Sequence, residues 1–415
     1  MEHNRLDRLR LLIALSLAVI VSQFFRSSIG VIAPELALDL ALTPEMLGFA
    51  NACFFIALAV VQIPVGILFD RVGVRQTYLW LTGVAVAGAL LHAYVETGAG
   101  LATARFLMGI GCGASFMSVV MLTSRWFPPE RHATAISWVF ALSQIGILLA
   151  ATPLAAAAES IGWRPVFAVT AALTVAVGVL YAAFVRDEPP GAAPVEPKVR
   201  DDENGAIAGL LRVLRTKDIG YVLAMHTFAY AACNTIIGLW AGPYPADVHG
   251  LTPVERGNVL LAMGIGQVAG VLAFGPLDRL LDTRKWVVVA GASGSLLTLC
   301  TLAALKQPSL AVASSLLVLL CVVSQYPVAI VAHARSLFPA SIAGRGVTTV
   351  NLAQVIGAGS LPYLTGIVVG AASGARGPYP ESAYRLAFVA IAVPLAVGLA
   401  FYLRARDAKP SRGVG

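Results

Sequence analysis

The sequence predicts an all-α integral membrane protein of twelve transmembrane helices in two six-helix halves, and three observations carry that prediction. The first is composition: 58% of the 415 residues are hydrophobic and 12% are charged, whereas soluble domains carry about a quarter charged residues. The second is spacing, because apolar runs of the roughly 20 residues needed to cross the hydrocarbon layer follow one another almost back to back. The third is duplication. The charged connector GILFDRVGVRQ, Gly66 to Gln76, has an imperfect copy, GPLDRLLDTRK, Gly275 to Lys285, about half the chain downstream. A transmembrane barrel is excluded, since Leu11 to Val21 and Leu173 to Val185 show no apolar and polar alternation.

Bounded by charge, Gly or Pro, the first set of helices is expected at about 9–33, 45–68, 76–96, 99–122, 132–157 and 163–185. The first run, Leu9 to Ile32, is longer than the apolar part of a signal peptide and contains Arg26, so it reads as a span and not as a cleaved leader. The second ends at the charged connector, and the fourth ends at SRWFPPERHATA. After the sixth, Arg186 to Lys217 is rich in Pro, Gly and charge and reads as a flexible linker, with a short surface helix at Ile207 to Leu214. The second set is expected at about 218–242, 256–277, 286–305, 308–333, 346–370 and 383–404. The tenth ends at RSLFPASIAGRG, so Phe127-Pro128 and Phe338-Pro339 repeat at nearly the spacing of Gly66 and Gly275, about 210 positions. The division expected is residues 1–185, a six-helix bundle; 186–217, a linker; and 218–415, a second bundle.

About three quarters of the 29 Lys and Arg fall in the two tails, the central linker and the connectors after the even-numbered spans of each half. The opposite side holds Arg164, Arg256, Lys306, Arg376 and Arg385. Positive charge gathers on the cytoplasmic side, so both termini are expected there, in the inner membrane of a bacterium. The net charge of +7 does not point to nucleic acid, because the basic residues have no stacking aromatics among them. Cys53, Cys112, Cys233, Cys300 and Cys321 all lie in apolar runs without metal-ligand spacing and read as small core hydrophobes. No metal, no cofactor and no partner beyond the lipid bilayer and a small solute is expected, and the chain is expected to act as a monomer.

Arg26, in FFRSSIG, is the most informative residue. A charge within a span is costly and faces a watery cavity or a partner. No Asp or Glu falls deep inside a predicted span, so the guanidinium is left to an anionic solute, which it could hold by paired hydrogen bonds, or to backbone carbonyls and water. Gln23 shares its face one turn earlier, and Phe24 and Phe25 could wall the same space. Asn51 and Phe55 share a face of the second helix; Arg105 lies roughly 9 Å into the fourth. His226, Tyr230 and Asn234 recur at i, i+4 and i+8 as a polar stripe on the seventh helix, expected to face a central cavity. His226 is the candidate to carry a coupling proton, or is simply hydrogen-bonded. Asn351, with Gln354, Gln325 and Tyr326, adds weaker candidates, and Trp240 and Tyr244 are placed for an aromatic belt or an outer gate.

These residues resemble the major facilitator superfamily of secondary transporters. Gly66, Leu68, Asp70, Arg71, Gly73 and Arg75 look like its specific signature between the second and third helices. Arg105, Gly109 and Gly111 resemble its helix-four signature, and Gly162 to Arg164 a common entry to its sixth helix. The resemblance implies a secondary active transporter working by alternating access. It also implies that Asp70 caps the amino end of the eleventh helix near Gly346, and that Arg71 or Arg75 meets Glu130, closing the cytoplasmic side. Two departures stand out. The fifth helix, GILLAATPLAAA, lacks the Gly-Pro pair of many proton-driven drug antiporters, and the second copy of the signature has Asp282 where Gly73 stands. The leading reading is transport of a small anionic solute. Proton-coupled efflux of drugs or metabolites is the runner-up, and a transporter-like sensor is the alternative of a different class, although the linker and tail supply no sizeable signalling domain. An enzyme ranks last, since no catalytic cluster lies at helical spacing.

Overall fold

In hydrocarbon every backbone amide and carbonyl must find a partner within the protein, so each apolar run folds as a helix that satisfies its own backbone. The computed structural model describes residues 2–189, 212–339, 343–373 and 378–413. Among the described residues twelve helices are long and apolar enough to span: α1 (Leu6–Asp39), α2 (Pro44–Arg71), α3 (Val74–Tyr94), α4 (Gly98–Trp126), α5 (Glu130–Ile161), α6 (Trp163–Phe184), α7 (Ile219–Trp240), α8 (Pro253–Leu280), α9 (Lys285–Ala304), α10 (Leu310–Ser336), α11 (Gly346–Ser373) and α12 (Glu381–Tyr402). They are the twelve expected from the sequence, extended at several ends by local capping. Thr43 accepts from the Met46 amide at 3.3 Å to start α2, and Thr97 from Gly100 at 3.1 Å to start α4. Thr252 and Glu255 form a reciprocal capping box at the start of α8. Of the helix expected at Ile207 to Leu214, residues 212–214 are helical and the rest lies outside the described residues.

Three spans are interrupted. α5 breaks at Ala150-Ala151, α10 breaks just before Pro327, and the last turn of α7 widens into a π-turn at Ile236–Trp240, where the Ala241 amide reaches the Ile236 carbonyl at 2.7 Å. Large side chains such as Ile63, Leu272 and Leu297 stand out on the surface; on spans of this length they meet lipid. In the first half α4 packs against α2 and α3, and α1 against α5. In the second, α7 packs against α11 and α12, and α8 against α10. Between the halves, α2 runs beside α11 and α5 beside α8. Contact is tightest at the face away from the termini, where the Gly30 backbone lies against the Ile237 carbonyl and Gly48 against Pro362. α11 crosses α7 so closely that Gly357 has no room for a side chain, its missing Cβ falling on the Thr227 carbonyl.

On the face that carries both termini, each half repeats one anchor. Gly73 takes φ +95° at the turn into α3, and the Asp187 carboxylate sits against it, accepting from the Arg75 amide at 2.8 Å. The Arg75 guanidinium donates to the Ala182 carbonyl at 2.6 Å at the end of α6. In the second half Asp407 accepts from the Lys285 amide at 3.0 Å and the Thr283 hydroxyl at 2.7 Å, and Lys285 Nζ donates to the Leu403 carbonyl at 2.7 Å. The duplication read from the charged connectors thus includes the acid that follows each half's last span. Burial alone would raise the Asp407 carboxyl, but the bonds from Thr283, Lys285 and Arg284 outweigh it and hold it below the usual carboxylate range.

Two outcomes follow for stability. Gly357→Val should destabilise the protein by about 1–3 kcal/mol through overpacking at the α7–α11 crossing, read as a fall in the Tm of detergent-solubilised protein. Gly83→Ala, which meets open space, should leave Tm unchanged or slightly raised. Because the Asp407 carboxyl is depressed in the folded state, its contribution is present above the ordinary carboxylate value of about 3.9 and disappears as pH falls through the folded value. The wild type should therefore lose Tm on acidification below about pH 4 more steeply than Asp407→Asn, which has no such charge to lose; parallel curves would remove the anchor's electrostatic role.

Candidate functional site

A cavity of about 690 Å³ lies between the halves, within the range of small-molecule sites. Its walls come from the parts of α2, α4, α10 and α11 nearest the termini, with Tyr230 of α7 at mid-span. One wall is apolar, formed by Phe116, Met117, Val120 and Met121 of α4, and the other carries Gln325, Arg335, Asn351 and Gln354. Among the described residues neither Asp nor Glu lines it.

Arg26 does not itself line the cavity but is bonded to Tyr230, which does. Its guanidinium donates from Nη1 to the Tyr230 hydroxyl at 3.1 Å and lies 5.7 Å from the centroid of the Phe55 ring. It forms no ion pair among the described residues, and its Nε has no partner among them. Gln23, one turn away, donates to Gln144 of α5 at 3.4 Å. The helical geometry that put Gln23 and Arg26 on one face therefore places both toward neighbouring helices of the bundle, and only Arg26 reaches across to the other half.

The other intramembrane arginine is arranged differently. Arg105 is completely buried between α1, α2 and α4, donating to the Phe25 carbonyl and, at 3.3 Å, to the Asn51 side chain, with its guanidinium 4.6 Å from the Phe54 centroid. Its partners are all neutral, and neither it nor Asn51 lines the cavity. Asn51 and Phe55, expected to work together, are divided between the two arginines. On α7, Tyr230 lines the cavity. His226 is buried beside Gln354, and Asn234 Nδ2 is buried without a partner among the described residues. Trp240 donates to Thr365 at 2.8 Å inside the second half.

Of the expected closing residues, Gly66 is flanked by open space, and Asp70, Arg71 and Glu130 are exposed and form no ion pair with a described residue. Arg75 is taken up by Asp187 and Ala182 rather than by Glu130. The halves are instead joined at the opposite face. Arg256 of α8, nearly inaccessible to solvent, pairs with Glu35 of α1, and Thr152 donates to Asn258 at 3.0 Å across the α5–α8 seam. Nearby, Arg164 pairs with Asp39 at 2.9 Å within the first half.

Two of these features escaped the sequence. Glu35 and Arg256 are both adjacent to expected span ends, but nothing local relates residues 221 positions apart. Arg335 was counted only as a positive residue on the terminal side; its spacing from Pro327 and Val331, at i, i+4 and i+8, was the available sign that it shares their face of α10.

The comparisons agree on the kind of protein. The family model of the Major Facilitator Superfamily matches residues 15–324. The hexuronate transporter of Bacillus subtilis is 25% identical over 61% of this chain and 60% of that protein. A nitrate/nitrite transporter of Picosynechococcus is 29% identical over 47% of this chain and 40% of that protein. The chain spans well under two thirds of the length of both. Among solved structures, a bacterial homolog of the human lysosomal transporter Spinster, in an inward-facing and unoccupied conformation, superposes with a TM-score of 0.78 at 18% identity, covering 95% of this chain and 96% of that one. That likeness concerns the fold.

Removing one member of the Glu35–Arg256 pair leaves a buried charge unpaired, at a cost of about 3 kcal/mol, the lower end for such pairs because Glu35 is partly solvated. Glu35→Gln should accordingly open the face away from the termini, seen as faster labelling of Thr152→Cys by a membrane-impermeant thiol reagent. Unchanged labelling would show that the pair does not hold that seam.

Proposed function

We propose, from the premise that this chain belongs to the Major Facilitator Superfamily, that it is a secondary transporter of a small organic or inorganic anion working by alternating access. The observation that carries the anion is Arg26, an intramembrane guanidinium bonded to Tyr230, which lines the inter-half cavity. Among the described residues its hydrogen bond goes to a neutral tyrosine from the other half, its ring contact is with Phe55, and it forms no ion pair. A charge in that position is stabilised by a counter-ion, and the cavity wall offers none. An incoming carboxylate or oxyanion supplies it through charge-assisted hydrogen bonds, and the Tyr230 hydroxyl becomes a further donor to the same anion. The names of the hexuronate and nitrate/nitrite transporters support the same charge.

In this reading the terminal face is cytoplasmic, as the distribution of Lys and Arg implies, and the protein rests in the inner membrane with its cavity open inward. The Glu35–Arg256 pair and the close backbone contacts of Gly30 and Gly48 hold the outer face shut. Asp70 stands apart in this state because its expected partner, the amino end of α11 near Gly346, belongs to the other half across the open side, and closing that side brings the two together. Tyr230 links the two roles, since it touches Arg26 from the opposite half and so reports whether the midplane site is filled.

Uptake of labelled organic anions into proteoliposomes tests the proposal. Arg26→Ala should lower uptake at least about tenfold, the scale of a lost charge-assisted hydrogen bond. Arg26→Lys should fall nearly as far, because an ammonium cannot reproduce the guanidinium fork. Near-normal uptake by Arg26→Lys would remove the forked recognition, and anion transport untouched in Arg26→Ala would remove the site.

A further inference from the structure

We propose that the anion this site takes is amphipathic, with one apolar face that lies against α4 and a polar edge, its carboxylate included, that lies against the second half. The inference rests on the reading of the cavity as an anion site and adds to it the surface chemistry of the solute. Phe116, Met117, Val120 and Met121 line the cavity at i, i+1, i+4 and i+5, one continuous face of α4. Phe116 is 52% exposed, and its ring is propped by that of Phe140 of α5, with centroids 4.9 Å apart. Large apolar side chains elsewhere on the spans stand out toward lipid, whereas these four border the space between the halves. Apolar surface left open in a cleft marks the place of a ligand.

The facing wall belongs to the other half and differs in kind. Gln325 of α10 and Asn351 and Gln354 of α11 bring amides to it, beside Val328 and Val331, and Arg335 brings a guanidinium. Tyr230, whose hydroxyl is bonded to Arg26, belongs to the same half. The anionic group therefore finds donors on the second half, and the α4 side chains of the cavity have none to offer. Alternating access closes the terminal face by bringing the two walls together around the solute. A solute hydroxylated on every side then turns hydroxyls toward Phe116 and Met117, which cannot replace the water those hydroxyls lose. An inorganic oxyanion has no apolar face, and its small volume leaves the amides of one half pressed on the apolar stripe of the other. An anion with one apolar face removes that stripe from water and keeps its polar atoms for the amides, which both donate and accept. Each face of such a solute matches a different half, so it joins the two bodies that must approach.

The test compares two ring acids by calorimetry on the protein in lipid nanodiscs, with empty nanodiscs as the blank for partition into lipid. Cyclohexanecarboxylate has an apolar ring and one carboxylate; quinate is the same ring and carboxylate with hydroxyls added. Cyclohexanecarboxylate should bind at least about tenfold more tightly, the scale of two buried methylene groups. Met117→Gln, which puts an amide into the apolar stripe, should bring the two affinities to within about threefold, and Met117→Leu should keep the preference. Quinate bound as tightly by the wild type, no binding of cyclohexanecarboxylate, or an unchanged ratio in Met117→Gln would overturn the inference. The two readings fail separately. If Arg26→Ala binds both acids as the wild type does, the anion site itself is wrong; if that variant loses both acids while the wild type shows no preference between them, only the apolar face is wrong.

Discussion

Hydrocarbon offers no hydrogen-bond partner to an unpaired amide or to a bare charge, and the whole architecture answers to that constraint. It forces the apolar runs into helices that satisfy themselves, and it confines irregular backbone to places enclosed by protein. The break in α10 before Pro327 and the π-turn closing α7 both fall in helices that border the space between the halves. It also explains why so few polar side chains enter the spans, and why those that do form clusters with assignable roles.

The two intramembrane arginines show how one residue type serves two purposes under the same constraint. Arg105 lies inside the first half, where a backbone carbonyl, an asparagine and a phenylalanine ring enclose it completely. Its contacts tie α4 to α1 and α2, and they do not change when the halves move as rigid bodies. Arg26 reaches out of its half to Tyr230, so its surroundings depend on how the halves are set. A charge satisfied within one body is structural; a charge whose partner lies on the other body can couple ligand to motion.

The arrangement of seams gives the same division of labour. Near the termini each half is braced internally, by Asp187 against Gly73 and Arg75 and by Asp407 against Thr283 and Lys285. These repeated anchors stiffen each bundle without joining the two. The joins between bundles sit at the far end, in Glu35 with Arg256 and in backbone contacts that leave no space for side chains. Braced bundles joined at one end leave a cavity at the other, and a rocking motion only needs to exchange which end is joined.

Most of the fold was legible in the sequence because it depends on short-range quantities. The length of each apolar run fixes a span, and the repeated connectors and Phe-Pro pairs fix the duplication. Arg26 stood out for the same reason, since a charge in a span is visible without knowing its neighbours. What the sequence could not settle was partnership. Asn51 and Phe55 share a helical face, yet they serve different arginines, because the crossing of α1, α2 and α4 divides that face. Arg75 turned to Asp187, and Glu35 found Arg256, through packing that brings distant segments together. By itself the sequence determined the number of helices, their duplication and the presence of an uncompensated charge, all set by local hydropathy. Only the tertiary structure decided which polar groups meet, which face is sealed and which residues line the cavity, because those follow from helix crossings that no local pattern encodes.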